Sequence, residues 1–185
     1  REESFMKRTQ KLALGGIFSG LAVVLMFLAN FLPMLNIALP AFAGMVLMPL
    51  MIELNWKWSL TSYVVCSLLS LLLIRNLDSL ILFIGLFGWY PILKGVLENR
   101  RMNRVLEYVI KLASFNVALA ICCALVFFLL GVTELFSQIL AFQYGIVIFF
   151  VLMNIVFLLY DFCLKRVAQG YLGFIRPKIV KKLFK

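Results

Sequence analysis

"LALGGIFSGLAVVLMFLANFLP", residues 12–33, carries no charge and closes on Asn30 and Pro33. In a helix rising about 1.5 Å per residue this run reaches about 33 Å, enough to cross the hydrocarbon core of a bilayer. In lipid its amides have no water to bond, so the helix must satisfy them internally. The run lacks a small-residue cleavage site and further apolar runs follow it, so it is read as a span and not as a cleaved leader.

Outward from this stretch the same composition recurs. Of 185 residues, 64% are hydrophobic and 14% charged, and the mean hydropathy is +1.06. Spans are expected at about residues 12–33, 37–54, 58–74, 78–97, 107–131 and 139–164. No ten-residue alternation of a membrane β-barrel is present. The fold class is therefore an all-α integral membrane protein, a single six-transmembrane-helix bundle. Pro40 and Pro49 interrupt the second run, and Gly85, Gly88 and Pro91 fall in the fourth, so both are expected to bend.

Orientation follows from the cations. Arg1, Lys7, Arg8 and Lys11 precede the first span, Lys57 follows the second, and Lys94 to Lys111, five cations, flank the turn after the fourth. Residues 165–185 add seven more, which puts 17 of the 18 Lys and Arg on one side and Arg75 alone on the other. Both termini are expected to be cytoplasmic, in a bacterial cell membrane. The net charge of +10 is thus a membrane asymmetry and does not point to nucleic acid. The tail "FIRPKIVKKLFK", within 165–185, sets Ile175, Ile179 and Leu183 on one helical face among lysines. That is the pattern of an amphipathic helix lying on anionic lipid.

Several chemistries are excluded. There is no histidine, no P-loop, no HExxH and no nucleophile elbow. Cys66, Cys122, Cys123 and Cys163 have neither metal-knuckle nor disulfide spacing. Glu53, Lys94, Lys111 and Asp161 fall near span ends, where they are expected to reach water. No catalysis, metal or cofactor is expected, and energy for uphill transport would come from another subunit.

Two small-residue stripes stand out: Ala13, Gly16 and Gly20 on the first span, and Ser59, Ser62, Cys66 and Ser70 on the third. Small residues let helix backbones approach closely in lipid, either within one chain or against a partner. At the other membrane face Asn30, Asn36, Arg75, Asp78, Gln138, Gln143 and Tyr144 could orient a small ligand in an apolar pocket. Helix ends and turns also use such residues simply to face water. Asn116 and Asn154, on the fifth and sixth spans, are expected to bond across helices.

These parts together resemble the substrate-binding S component of energy-coupling factor (ECF) transporters. The resemblance rests on size, six spans, the Pro-containing first outer loop and "KLALGGIFSGLAVVLMF", Lys11 to Phe27. Where that family has Ala-xxx-Ala, this chain has Gly16-xxx-Gly20 with Ala13 one turn earlier. The resemblance implies capture of a vitamin-type micronutrient on the outer face, with residues 30–40 as lid. It also implies docking of a transmembrane coupling subunit, through Gly16, Gly20 and their neighbours, and two partner ATPases. Rod-shape scaffold proteins of bacterial membranes are similar in size and topology but bind proteins. An outer end packed shut would favour that class. A channel is disfavoured, since no helix shows a continuous polar stripe.

Overall fold

The structure, a computed structural model, describes residues 7–100, 103–130 and 144–180. Among these residues there are six helices and no strand. They are α1 (Arg8–Leu28), α2 (Ala38–Glu53), α3 (Trp56–Leu73), α4 (Leu77–Asn99), α5 (Arg104–Leu130) and α6 (Gly145–Gly170). Five are long and apolar enough to cross a membrane. α2 is apolar but has only 16 residues. The class expected from the sequence, a helical membrane protein, holds.

Boundaries shift at the ends. α1 starts at Arg8 and stops at Leu28, because Asn30 leaves the helix and Pro33 opens a short 3-10 turn, Pro33–Leu35. α6 continues to Gly170, and Tyr171–Val180 follows in wider helical turns. The amphipathic tail expected over residues 165–185 thus begins within α6, and its residues 181–185 lie outside the described residues. Tyr171 is buried and meets Phe18 of α1 edge-on at 6.4 Å.

α2 is the hub, packed on α1, α3, α4 and α6. Ten of its 16 residues are buried, on every side of the helix, as expected for a rod without a polar face. One core joins Leu14, Ala22 and Met26 of α1 to Leu47 and Leu50 of α2, Cys66 of α3 and Phe83 of α4. A second joins Met48 of α2 to Phe87 and Tyr90 of α4, Phe115 and Leu119 of α5, and Phe157 and Tyr160 of α6. Gly44 makes the junction possible: a Cβ there would strike the Phe87 carbonyl and the Tyr160 hydroxyl.

α4 bends where the sequence places Gly85, Gly88 and Pro91. Residues Phe83–Phe87 form a π turn, in which Gly88 N–H donates to the Phe83 carbonyl at 2.7 Å. That register leaves the Ile84 carbonyl without its usual donor four residues on, and Tyr63 of α3 supplies one at 2.7 Å. Pro91 has no N–H for the Phe87 carbonyl, and Tyr160 of α6 donates there at 3.0 Å. The Trp89 indole N–H donates to the Gly85 carbonyl at 2.7 Å. The break is therefore bonded rather than loose. Tyr160→Phe would orphan a buried carbonyl, at an expected cost of about 1 kcal/mol in detergent unfolding.

Candidate functional site

Three places on this framework carry functional groups. The first is a charged network at the end of the bundle where α4 finishes, α5 begins and α6 finishes. Helical spacing of four aligns Tyr90, Lys94 and Glu98 on α4, Glu107 and Lys111 on α5, and Asp161 and Lys165 on α6. Lys94 Nζ donates to Asp161 Oδ1 at 2.6 Å and to the Asp161 carbonyl at 2.7 Å. Tyr90 donates to the same Oδ1 at 2.6 Å. Lys111 pairs with Glu107 and, at 3.2 Å, with Glu98. Lys165 stands 3.4 Å from Asp161 Oδ2 and donates to the Tyr108 hydroxyl at 2.6 Å.

Three cations face three anions, so the network closes on itself. Lys94 is 0% and Lys111 1% exposed, and Asp161 is 5%. The expectation that Glu53, Lys94, Lys111 and Asp161 reach water is corrected: Glu53 is buried and pairs with Arg176, and the other three turn inward and meet one another. Charge in such a place must be paired, because an isolated ion there would shed hydration with nothing in return. The network's chemistry is adhesion of three helices. Among the described residues no cluster of His, Cys, Asp and Glu could hold a metal ion.

The second place is the opposite end. Asn30 donates its amide to the Leu73 carbonyl at 3.1 Å and accepts from Arg75 N–H at 3.0 Å. Asn36 accepts from Asn76 Nδ2 at 2.8 Å, and its carbonyl accepts from Ser79 Oγ at 3.1 Å. Asn76 also caps α4. The first loop is thereby latched onto the α3–α4 turn. Of the expected ligand residues, Asn30, Asn36 and Arg75 come together here, Arg75 through its main chain, with its side chain exposed. Asp78 and Tyr144 are exposed and join no bond of this latch. Gln138 and Gln143 lie outside the described residues. The amides of Asn30 and Asn36 thus face main chain and turn, in place of the pocket expected of them.

The third place is α1. Ala13, Gly16 and Gly20 are exposed, and a Cβ at either glycine would meet nothing within 4 Å. Gly15, on the other side, would meet Ser62 Oγ at 3.7 Å. Ser59, Ser62, Cys66 and Ser70 are all buried, and Cys66 Sγ contacts the Ser19 carbonyl at 3.5 Å. The α3 stripe is thus taken up by α1 within the chain. Ser59, Ser62 and Cys66 are withdrawn from the expected partner-docking set, and the α1 stripe alone faces outward.

Two further features complete the map. Asn116 and Asn154 exchange amide bonds at 2.9 and 3.0 Å and tie α5 to α6, as expected. An open groove of ≈ 510 Å³ lies between α4 and α5, lined by Trp89, Ile110, Ala113, Ser114, Val117, Ala118 and Ile121. Its lining is apolar apart from Ser114 and the indole N–H, as suits a lipid-facing surface. Comparison with family models, with curated proteins and with solved structures finds no match.

Proposed function

We propose that this chain is a non-catalytic subunit of an ATP-driven uptake transporter of the energy-coupling factor type. In this reading it crosses a bacterial cell membrane six times, with α2 as the short crossing and both termini cytoplasmic. It captures a small, vitamin-type molecule beside the Asn30–Asn36 loop. It docks a transmembrane coupling subunit on α1, and two partner ATPases supply the energy. The observation that carries the reading is the contrast along α1: the Leu14, Gly15, Ala22 and Met26 side is packed inside, while Ala13, Gly16 and Gly20 are left open. Backbone-close helix association in lipid needs such a face.

The test is a Gly16→Leu/Gly20→Leu chain expressed in its native host. Both side chains have room, so unfolding should shift by less than about 0.5 kcal/mol. Co-purification of a coupling subunit and two ATPases should be lost at least tenfold. Unchanged recovery of those partners, or their absence from the unsubstituted protein, overturns the proposal. A rod-shape-type scaffold is the second reading, favoured by the way Asn30 and Asn36 bond the adjoining turn. Native mass spectrometry separates the two: a retained small molecule supports transport, and protein partners alone support the scaffold.

A further inference from the structure

The α4–α5–α6 network balances its own charge, with Lys94, Lys111 and Lys165 set against Glu98, Glu107 and Asp161. It leaves no anion for the two arginines beside it. Arg104 lies one turn before Tyr108 on α5, and Arg166 follows Lys165 on α6. Both are exposed, and neither forms an ion pair among the described residues. The acids nearest in sequence, Glu107 and Asp161, are held by Lys111 and Lys94. Arg166 rests over the Phe162 ring at 5.1 Å, and Lys165 over the Tyr108 ring at 4.9 Å. The Tyr108 hydroxyl accepts from Lys165 at 2.6 Å, which leaves its own proton to donate elsewhere. Two unpaired guanidinium groups and a hydroxyl donor suit a phosphate.

What lies beneath these groups says which phosphate. From here α5 and α6 run side by side as a seam, crossed by Tyr108–Lys165, by Phe115 stacked on Phe157 at 4.3 Å, and by the Asn116–Asn154 pair. Between the outer and inner crossings, Leu112 on α5 and Leu158 and Phe162 on α6 stay exposed. The eight residues from Tyr108 to Asn116 rise about 12 Å, most of the roughly 15 Å of one hydrocarbon leaflet. A water-soluble anion would match the arginines alone, and an apolar partner helix the leucines alone. A phospholipid matches both at once. The same end of the bundle exposes Lys7, Arg8, Lys57 and Arg100, so it is the end suited to the anionic leaflet. We propose that the α5–α6 seam binds one anionic phospholipid. Arg104, Arg166 and the Tyr108 hydroxyl hold its phosphate, and an acyl chain lies along Leu112, Leu158 and Phe162. The inference is independent of the transport reading.

Native mass spectrometry of the delipidated full chain, titrated with phosphatidylglycerol or phosphatidylcholine, reads the site. One phosphatidylglycerol per chain should bind at least tenfold more tightly than phosphatidylcholine. Arg104→Gln with Arg166→Gln should weaken phosphatidylglycerol binding at least tenfold, since each cation close to an anionic headgroup contributes roughly fivefold. Arg8→Gln with Lys57→Gln removes the same charge from α1 and α3, and should change binding less than about twofold, because screening confines the attraction to near neighbours. All four side chains are exposed, so the three chains should unfold alike without lipid. Added phosphatidylglycerol should then raise the unfolding temperature of the unsubstituted chain and the α1–α3 variant, but not that of the α5–α6 variant. Equal binding of the two lipids overturns the proposal. So does an equal loss in the two double variants, which would mean diffuse attraction to the whole basic end, and so does a protein chain retained in place of lipid.

Discussion

Asp161→Asn is expected to be the most damaging conservative substitution in the chain, lowering stability by about 3–5 kcal/mol. The amide keeps the shape of the side chain and removes its charge. Lys94 Nζ, now 2.6 Å from a carboxylate oxygen, would stand fully buried beside a neutral group. Lys111 and Lys165 would each lose an anion at 3.8 and 3.4 Å. The nearest remaining acid for Lys94 is Glu98 at 3.8 Å, on a side chain 38% exposed. Thermal unfolding in detergent measures the loss. The decisive control is the pair Lys94→Met with Asp161→Asn, which removes both ions and keeps the volume. That chain should regain most of the lost stability, because the damage arises from an unpaired charge rather than from a missing attraction. If Asp161→Asn unfolds like the unsubstituted protein, the network is not the adhesive between α4 and α6.

Gly44→Val is expected to come next, for a reason of space. Even one carbon at position 44 runs into the Phe87 carbonyl and the Tyr160 hydroxyl. A backbone carbonyl cannot swing aside as a side chain can, so α2 and α4 must separate. Overpacking of this kind costs about 1–3 kcal/mol, and here the Tyr160–Phe87 bond at 3.0 Å goes with it. A loss near 4 kcal/mol is therefore expected, being the upper overpacking value plus about 1 kcal/mol for the bond. Gly16→Val, on the open side of α1, supplies the comparison and should leave the unfolding temperature nearly unchanged. Equal losses at the two glycines would mean that α1 and α2 do not differ in exposure as described.

Much of this layout was legible in the sequence, because charge-free runs and proline punctuation report directly on crossing and bending. The break in α4 follows from Gly85, Gly88 and Pro91, and the Asn116–Asn154 tie from two amides isolated in apolar helices. The fate of Lys94, Lys111 and Asp161 was not legible. A lysine one turn inside a helix end has the same local sequence whether it reaches outward to water or inward to an acid, and its acid here lies 67 residues away. The stripes failed for a related reason. Where almost every position of a helix is apolar, periodicity does not say which side faces the chain. The α3 stripe proved to be the inner one and the α1 stripe the outer. At the Asn30 end, the sequence identified polar groups that meet but not that they bond the neighbouring turn.

The brevity of α2 has a consequence for how deep water reaches. At about 1.5 Å per residue its 16 residues reach about 24 Å, against about 40 Å for the 27 of α5. A central rod shorter than its wall needs other segments of the chain to fill in beyond its two ends. One is the asparagine loop, and the other is the helical segment after α6, whose Arg176 meets Glu53. Both are built from polar ties, so insertions in those two connections, rather than in any helix, would reset the thickness of the dry layer inside the molecule.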